Sequence, residues 1–132
     1  MNRIIYTIGY SGREISKLLD LLKFLKIKVL VDVRRFPKSK YRGYNREELE
    51  NILPKNGIDY IYLGDLLGGF RREGYEKFMN SEDFKIGVKK LAKIAEEKRT
   101  VIMCRERNPR WCHRRFISKA LEQMGFQVIH IK

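Results

Sequence analysis

The amino-acid sequence predicts an α/β fold: a three-layer α/β/α arrangement around a five-stranded, mostly parallel sheet. Three observations predict it. Segments rich in β-branched and aromatic residues alternate with segments whose apolar residues recur at helical spacing, along all 132 residues. One strand-like segment, residues 28–33 (Lys-Val-Leu-Val-Asp-Val), is an almost continuous apolar run, as expected of a strand covered on both faces. No repeat, low-complexity tract or linker interrupts the alternation, so a single domain over residues 1–132 is expected.

Each element follows from its residues. Residues 3–8 are β-branched and aromatic and end at Gly9, which reads as the first strand. Over 14–26, Ile15, Leu18, Leu19, Leu22 and Leu25 recur at helical spacing, and Ser11 or Gly12 is the expected cap. The second strand is 28–33. Asn45 is placed to cap a helix over 46–55, with Pro54 near its end. Gly57 marks a turn before a third strand at 58–63, and Gly64 to Gly74 reads as loop. A short helical turn is expected at 75–79. The next helix runs from about Ser81 to Lys98, with Phe84, Val88, Leu91 and Ile94 inward. Residues 99–103 are the fourth strand, about 111–124 a helix stopped by Gly125, and 126–131 the fifth strand.

The charge is the unusual global property. Lys and Arg exceed Asp and Glu by 29 to 16, a formal net charge of +13. Such an excess repels itself and points to a polyanionic partner, with nucleic acid first, an anionic small molecule second and a membrane surface third. Surfaces rich in Lys and Glu also occur in heat-stable proteins, which accounts for many charges but not for their imbalance. Two cysteines are too few for a disulfide scaffold. The start shows no signal-peptide layout and no apolar run spans a bilayer, so cytoplasmic residence without membrane association is expected.

In open α/β sheets, ligands bind beyond the carboxyl ends of the strands. Four consecutive strand ends here deliver glycine, acid, base and thiol to that edge. Tyr10 and Ser11 follow the first strand. Asp32, Arg34 and Arg35 follow the second, and continue into Lys38, Lys40 and Arg42 with Phe36, Tyr41 and Tyr44 interleaved and no acid after Asp32 until Glu47. Cations between aromatic rings suit a surface that neutralises phosphates and stacks bases. Asp65 follows the third strand. After the fourth come Cys104, Arg105, Glu106, Arg107, Arg110, Trp111, Cys112, His113, Arg114 and Arg115.

Asp32, Cys104 and Glu106 are the candidate catalytic groups. Tyr10, Ser11, Arg34, Arg35, Lys38, Lys40, Tyr41, Asp65, Arg105, Trp111, His113 and Arg114 are the candidate substrate-binding groups. Asp32 fits a general base or a stabiliser of positive charge, and equally a structural ion pair with Arg34 or with an arginine of the fourth loop. Cys104 among arginines fits a reactive thiolate or a buried inert thiol. Cys104 and Cys112 could also pair as a disulfide across a short loop. Cys104, Cys112, His113 and His130 are all the Cys and His of the chain, but their spacing matches no common zinc pattern. Cys104 to Arg110 has the Cys-x5-Arg spacing of a phosphatase phosphate loop, yet bulky residues, Glu106 and Pro109 replace the small residues such a loop needs. Neither a metal nor a cofactor is expected.

The strings Thr7-Ile8-Gly9-Tyr10-Ser11, Val31-Asp32-Val33-Arg34-Arg35-Phe36-Pro37-Lys38-Ser39, Leu67-Gly68-Gly69, Cys104-Arg105-Glu106 and Cys112-His113-Arg114 together resemble the DUF488 family over essentially the whole chain. Arg110 and Trp111 stand where that family varies, which makes the phosphatase-like spacing an accident. The family is distantly similar to rhodanese domains, and the resemblance puts Cys104 at their sulfur-loading position. Through some members it also implies removal of modified bases from DNA. A glycosylase needs a base extruded and stacked, here by Tyr10, Tyr41 or Trp111, and a carboxylate near the cationic sugar, here Asp32 or Asp65. Lys38 or Lys40 would supply an amine for a Schiff base. Three expectations follow: a DNA-acting enzyme of glycosylase type, a sulfur-transfer enzyme using Cys104, or a nucleic-acid-binding module without catalysis.

Overall fold

A computed structural model of the chain describes residues 3–69, 71, 73–108 and 112–132. The described residues form one five-stranded sheet in the order β3-β2-β4-β1-β5. The strands are β1 (Ile4–Gly9), β2 (Val29–Asp32), β3 (Asp59–Tyr62), β4 (Thr100–Cys104) and β5 (Gln127–His130). All four pairings are parallel, so the sheet is wholly parallel. The helices are α1 (Ile15–Phe24), α2 (Arg46–Lys55), α3 (Gly64–Leu67), α4 (Tyr75–Phe78), α5 (Glu82–Glu97) and α6 (Arg114–Gln123).

The burial of the strands explains their composition. The central strands β2 and β4 are buried at every position, which favours apolar side chains on both faces, with the buried polar residues Asp32 and Thr100 at strand ends. Along β2 the two-residue alternation sends Val29, Val31 and Val33 into one core and Leu30 into the other. The first core meets α5 and α6 through Phe84, Val88, Leu91, Ile117 and Leu121. The second meets α1 and α2 through Leu18, Leu22, Leu49 and Leu53. These are the three layers expected. The edge strands β3 and β5 are only partly buried, in keeping with their more polar sequences.

Local chemistry sets the boundaries. The Glu48 carboxylate accepts the backbone N–H groups of Asn45 (3.1 Å) and Gly43 (3.1 Å), which ties the start of α2. Ser81 Oγ accepts the N–H of Phe84 (3.2 Å) and caps α5. The structure corrects two expectations. Helix α1 starts at Ile15 with Glu14 at the cap position, so neither Ser11 nor Gly12 caps it. The segment read as loop from Gly64 contains α3, one turn that drives Leu67 into the core against Gly87 of α5. Among the described residues, no helix is long and apolar enough to cross a membrane.

Candidate functional site

The carboxyl ends of β1, β2 and β4 meet at one edge because these strands are adjacent in the sheet. Asp32 closes β2 with no exposed surface. Its Oδ1 accepts the Arg34 backbone N–H (3.0 Å) and Nε (2.9 Å), and its Oδ2 accepts Arg34 Nη2 (2.7 Å) and the Tyr60 hydroxyl (2.6 Å). Burial works against the charge of Arg34, but the hydrogen bonds and ion pair with Asp32 outweigh it and raise its pKa. Burial and the neighbouring Asp32 charge both raise the Tyr60 pKa, so the phenol stays a donor. Asp32 is thus the anchor beneath Arg34. This is the ion pair with Arg34 that was one of its two expected roles; both oxygens are engaged, and Asp32 is not among the residues lining the cavity described next.

Arg34 presents its outer face to Tyr10. Its Nη1 donates to the Tyr10 hydroxyl (3.4 Å) and the guanidinium lies 5.2 Å from the ring centre. The Tyr10 ring stacks on Tyr44 at 4.3 Å, and Tyr41 meets it edge-on at 6.1 Å. The Tyr44 hydroxyl donates to the Arg13 carbonyl (3.0 Å), and burial pushes its pKa up to about 12.

The segment after β4 lies directly on β1. Tyr10 N–H donates to the Cys104 carbonyl (3.1 Å) and Ser11 N–H to that of Arg105 (3.0 Å). Gly9 is required here, because a Cβ would collide with the Glu106 carbonyl. Gly64 likewise passes so close to the Arg34 carbonyl that no side chain fits. Arg114 holds the segment from below. Its Nη2 donates to the carbonyls of Glu106 (2.5 Å) and Arg107 (3.3 Å), and its Nη1 to Thr7 Oγ1 (3.0 Å). Thr7 Oγ1 lies 2.6 Å from His130 Nδ1. Burial, with the Arg13 charge behind it, pushes the Arg114 pKa down to about 10 against the pull of Glu106. Arg114 was expected to contact substrate; with no exposed surface, it positions the segment carrying Arg105 and Glu106.

Cys104 and Cys112 are bonded as a disulfide, eight positions apart, joining the end of β4 to the approach of α6. Beside them, His113 Nε2 lies 2.8 Å from the Val33 carbonyl and must donate to it. This fixes the tautomer and leaves Nδ1 as an acceptor 3.7 Å from Cys112 Sγ. Burial lowers the His113 pKa, the Val33 carbonyl opposes this, and Arg114 and Arg71 reinforce it. His130 shifts the same way, first through burial and then through Arg114.

The two histidines have a consequence for stability. Folding holds these rings neutral, whereas the unfolded chain takes up protons near the ordinary value of about 6.5. Below that pH the unfolded state binds more protons. Stability is therefore expected to be level above about pH 7 and to fall as the pH drops through about 6.5. Urea midpoints at about pH 7.5 and about pH 5.5 measure this, and His113→Gln should narrow the gap between them. An unchanged gap in that variant would contradict the assignment.

These elements surround a cavity of about 820 Å³. Among its described lining residues are six cations, Arg34, Arg35, Lys38, Arg71, Arg105 and Arg115, against one carboxylate, Glu106. Four aromatic residues, Tyr10, Phe36, Tyr75 and Phe116, share the lining with Cys104, Cys112, His113 and Gly69. The structure thus brings together Tyr10, Arg34, Arg35, Lys38, Cys104, Arg105, Glu106 and His113 of the expected site residues. Ser11, Lys40, Tyr41 and Asp65 do not line the cavity. Lys40, Tyr41 and Asp65 are exposed beside it, and the Asp65 carboxylate accepts the neighbouring Leu66 N–H (3.0 Å). Trp111, with Pro109 and Arg110, lies outside the described residues. Among those described, no three His, Cys, Asp or Glu side chains converge as a metal site.

Arg71, Tyr75 and Phe116 were not foreseen. Tyr75 donates to the Leu67 carbonyl (2.6 Å) and stacks on Phe116 at 5.3 Å. Arg71 Nε donates to the Gly68 carbonyl (2.9 Å), and its guanidinium covers the Phe78 ring at 3.9 Å. The Gly68-Gly69 pair was the available signal, since a backbone without side chains there lets α6 approach: a Cβ on Gly69 would sit 3.2 Å from His113 Nδ1.

No curated protein matches the chain. The family model of a domain of unknown function, DUF488, matches residues 14–121, which span α1 through most of α6 and hence nearly every element of the site. The chain belongs to the DUF488 family.

Proposed function

We propose that the cavity receives a single nucleotide drawn out of a DNA strand, and that the protein cleaves the bond between its base and sugar. The observation that carries this reading is the lining itself: six cations and one carboxylate around four aromatic residues, in about 820 Å³. Such a volume lies within the range of small-molecule sites. Cations neutralise the phosphates on either side of an extruded nucleotide, and a base stacked on an aromatic ring gains about 1–3 kcal/mol. Phe36, 61% exposed and the most exposed of the four aromatic residues, is best placed to meet the base, whereas Tyr10, 2% exposed with Tyr44 stacked on it and Arg34 over its ring, stiffens the wall behind.

Base excision builds positive charge on the sugar, which a nearby carboxylate stabilises. Glu106 is the carboxylate among the described lining residues, so this role falls to it and not to Asp32. Its backbone carbonyl is held by Arg114, which fixes where its side chain starts. Of the two lysines considered as amines for a Schiff base, Lys38 reaches the cavity and Lys40 does not.

The test is incubation with oligonucleotides carrying modified and unmodified bases, read for released base and strand cleavage. Glu106→Gln should bind within about twofold of the native chain and lose at least about 100-fold in base release, the scale of a lost acid–base group. Full activity in that variant would overturn the role of Glu106. Tight binding with no turnover on any substrate would replace the enzyme reading with that of a binding module.

A further inference from the structure

We propose that Cys104 and Cys112 form a reversible dithiol–disulfide pair that exchanges with anionic low-molecular-weight disulfides admitted to the cavity. This activity stands apart from base excision and does not depend on it. Both cysteines line the cavity, and their exposures are only 2% and 8%. A reagent must therefore enter the cavity to react. Each face of the sheet carries its own apolar core, and one pair of cysteines is too few for a disulfide scaffold. The cations that line the cavity select the charge of the reagent, since field focusing in a cleft of one sign concentrates counter-ions.

The surroundings also assign the order of attack. The Arg114 backbone N–H donates to Cys112 Sγ (3.4 Å), and His113 Nδ1, free to accept because Nε2 is bound to Val33, lies 3.7 Å away. Cys112 therefore has both a donor for its thiolate and a base for its proton. In the reduced protein it is the attacking thiol, and Cys104 is the resolving one. The Cys112 thiolate attacks one sulfur of RS–SR. A bond forms between Cys112 Sγ and that sulfur, the RS–SR bond breaks, and RS⁻ leaves with the proton held by His113. The Cys104 thiolate then attacks Cys112 Sγ, the protein disulfide closes, and the second RS⁻ takes the Cys104 proton. The protein gives up two electrons and two protons, and the reagent becomes two thiols.

The full-length chain, reduced and freed of reductant, is the material for the test. Oxidised glutathione (net anionic), hydroxyethyl disulfide (neutral) and cystamine (cationic) are added at equal concentration, and intact mass is followed with time. The expected result is loss of two hydrogens by the protein with oxidised glutathione, at least about tenfold faster than with cystamine, and a gap that closes at high salt. Cys104→Ser should accumulate one glutathione on Cys112, whereas Cys112→Ser should react more slowly. Equal rates with the anionic and cationic reagents would overturn the proposal. So would a native chain that stops at a mixed disulfide, or preferential modification of Cys104. The comparison of reagents uses only the native chain, so it decides the matter even where a variant folds poorly.

Discussion

Replacing Asp32 with alanine is expected to lower the unfolding free energy by about 3–5 kcal/mol, the cost of leaving a buried charge without its partner. Arg34 is 6% exposed and its ion pair among the described residues is with Asp32, so the substitution strands its guanidinium inside the protein. The Tyr60 hydroxyl loses its acceptor at the same time. Urea unfolding measures the effect. Adding Arg34→Met to Asp32→Ala removes the stranded cation, and the double variant should be more stable than Asp32→Ala alone. A loss below about 1 kcal/mol in Asp32→Ala would contradict the view of Asp32 as the counter-charge of a buried arginine. The same substitution should weaken ligand binding, because Arg34 lines the cavity in the orientation Asp32 sets.

Removing two rim cations, Lys38→Ala with Arg105→Ala, is expected to reduce the salt dependence of DNA binding. Each phosphate contact contributes about 0.7–0.9 to the slope of log K against log salt, so the slope should fall by about 1.4–1.8. Both side chains are exposed and line the cavity, so binding should fall while stability changes by less than about 0.5 kcal/mol. Lys89→Ala with Lys90→Ala is the control. These two are also exposed but lie on α5, on a face of the sheet away from the strand ends. Equal effects from the two double variants would mean that the net charge of +13, and not the cavity, attracts DNA.

The central strands β2 and β4 were legible because burial on both faces favours near-continuous apolar runs, with the polar Asp32 and Thr100 confined to their ends. The larger helices were legible through their spacing, since Leu18 and Leu22 or Phe84, Val88 and Leu91 must share a face. Helix α3 was not, because it begins at a glycine and leads straight into Gly68-Gly69, residues that read as a loop. The edge where the cavity lies was legible from the rule that open α/β sheets form their crevices beyond the carboxyl ends of the strands. The division of labour within it was not. A carboxylate at a strand end reads the same whether paired or free. One available clue was that positions two apart on an extended backbone face the same way, which puts Arg34 beside Asp32. Arg114 looked like a rim residue because it begins a helix beside a basic loop, yet its guanidinium turns inward to reach carbonyls contributed by Glu106 and Arg107. Tyr75 and Phe116 are distant in sequence, and only the packing of α4 against α6 makes them one wall.

The most direct measurement is a titration of the native chain with a short DNA oligonucleotide, followed in a proton–nitrogen correlation spectrum. Binding in the cavity should shift the backbone signals of Gly69, Arg105, Glu106 and His113, which belong to lining residues. Lys28, Gly57 and Arg99, at the opposite ends of the strands, should stay unchanged. Shifts centred on Lys28, Gly57 and Arg99, or no shifts at saturating oligonucleotide, would contradict a nucleotide site at the carboxyl edge of the sheet.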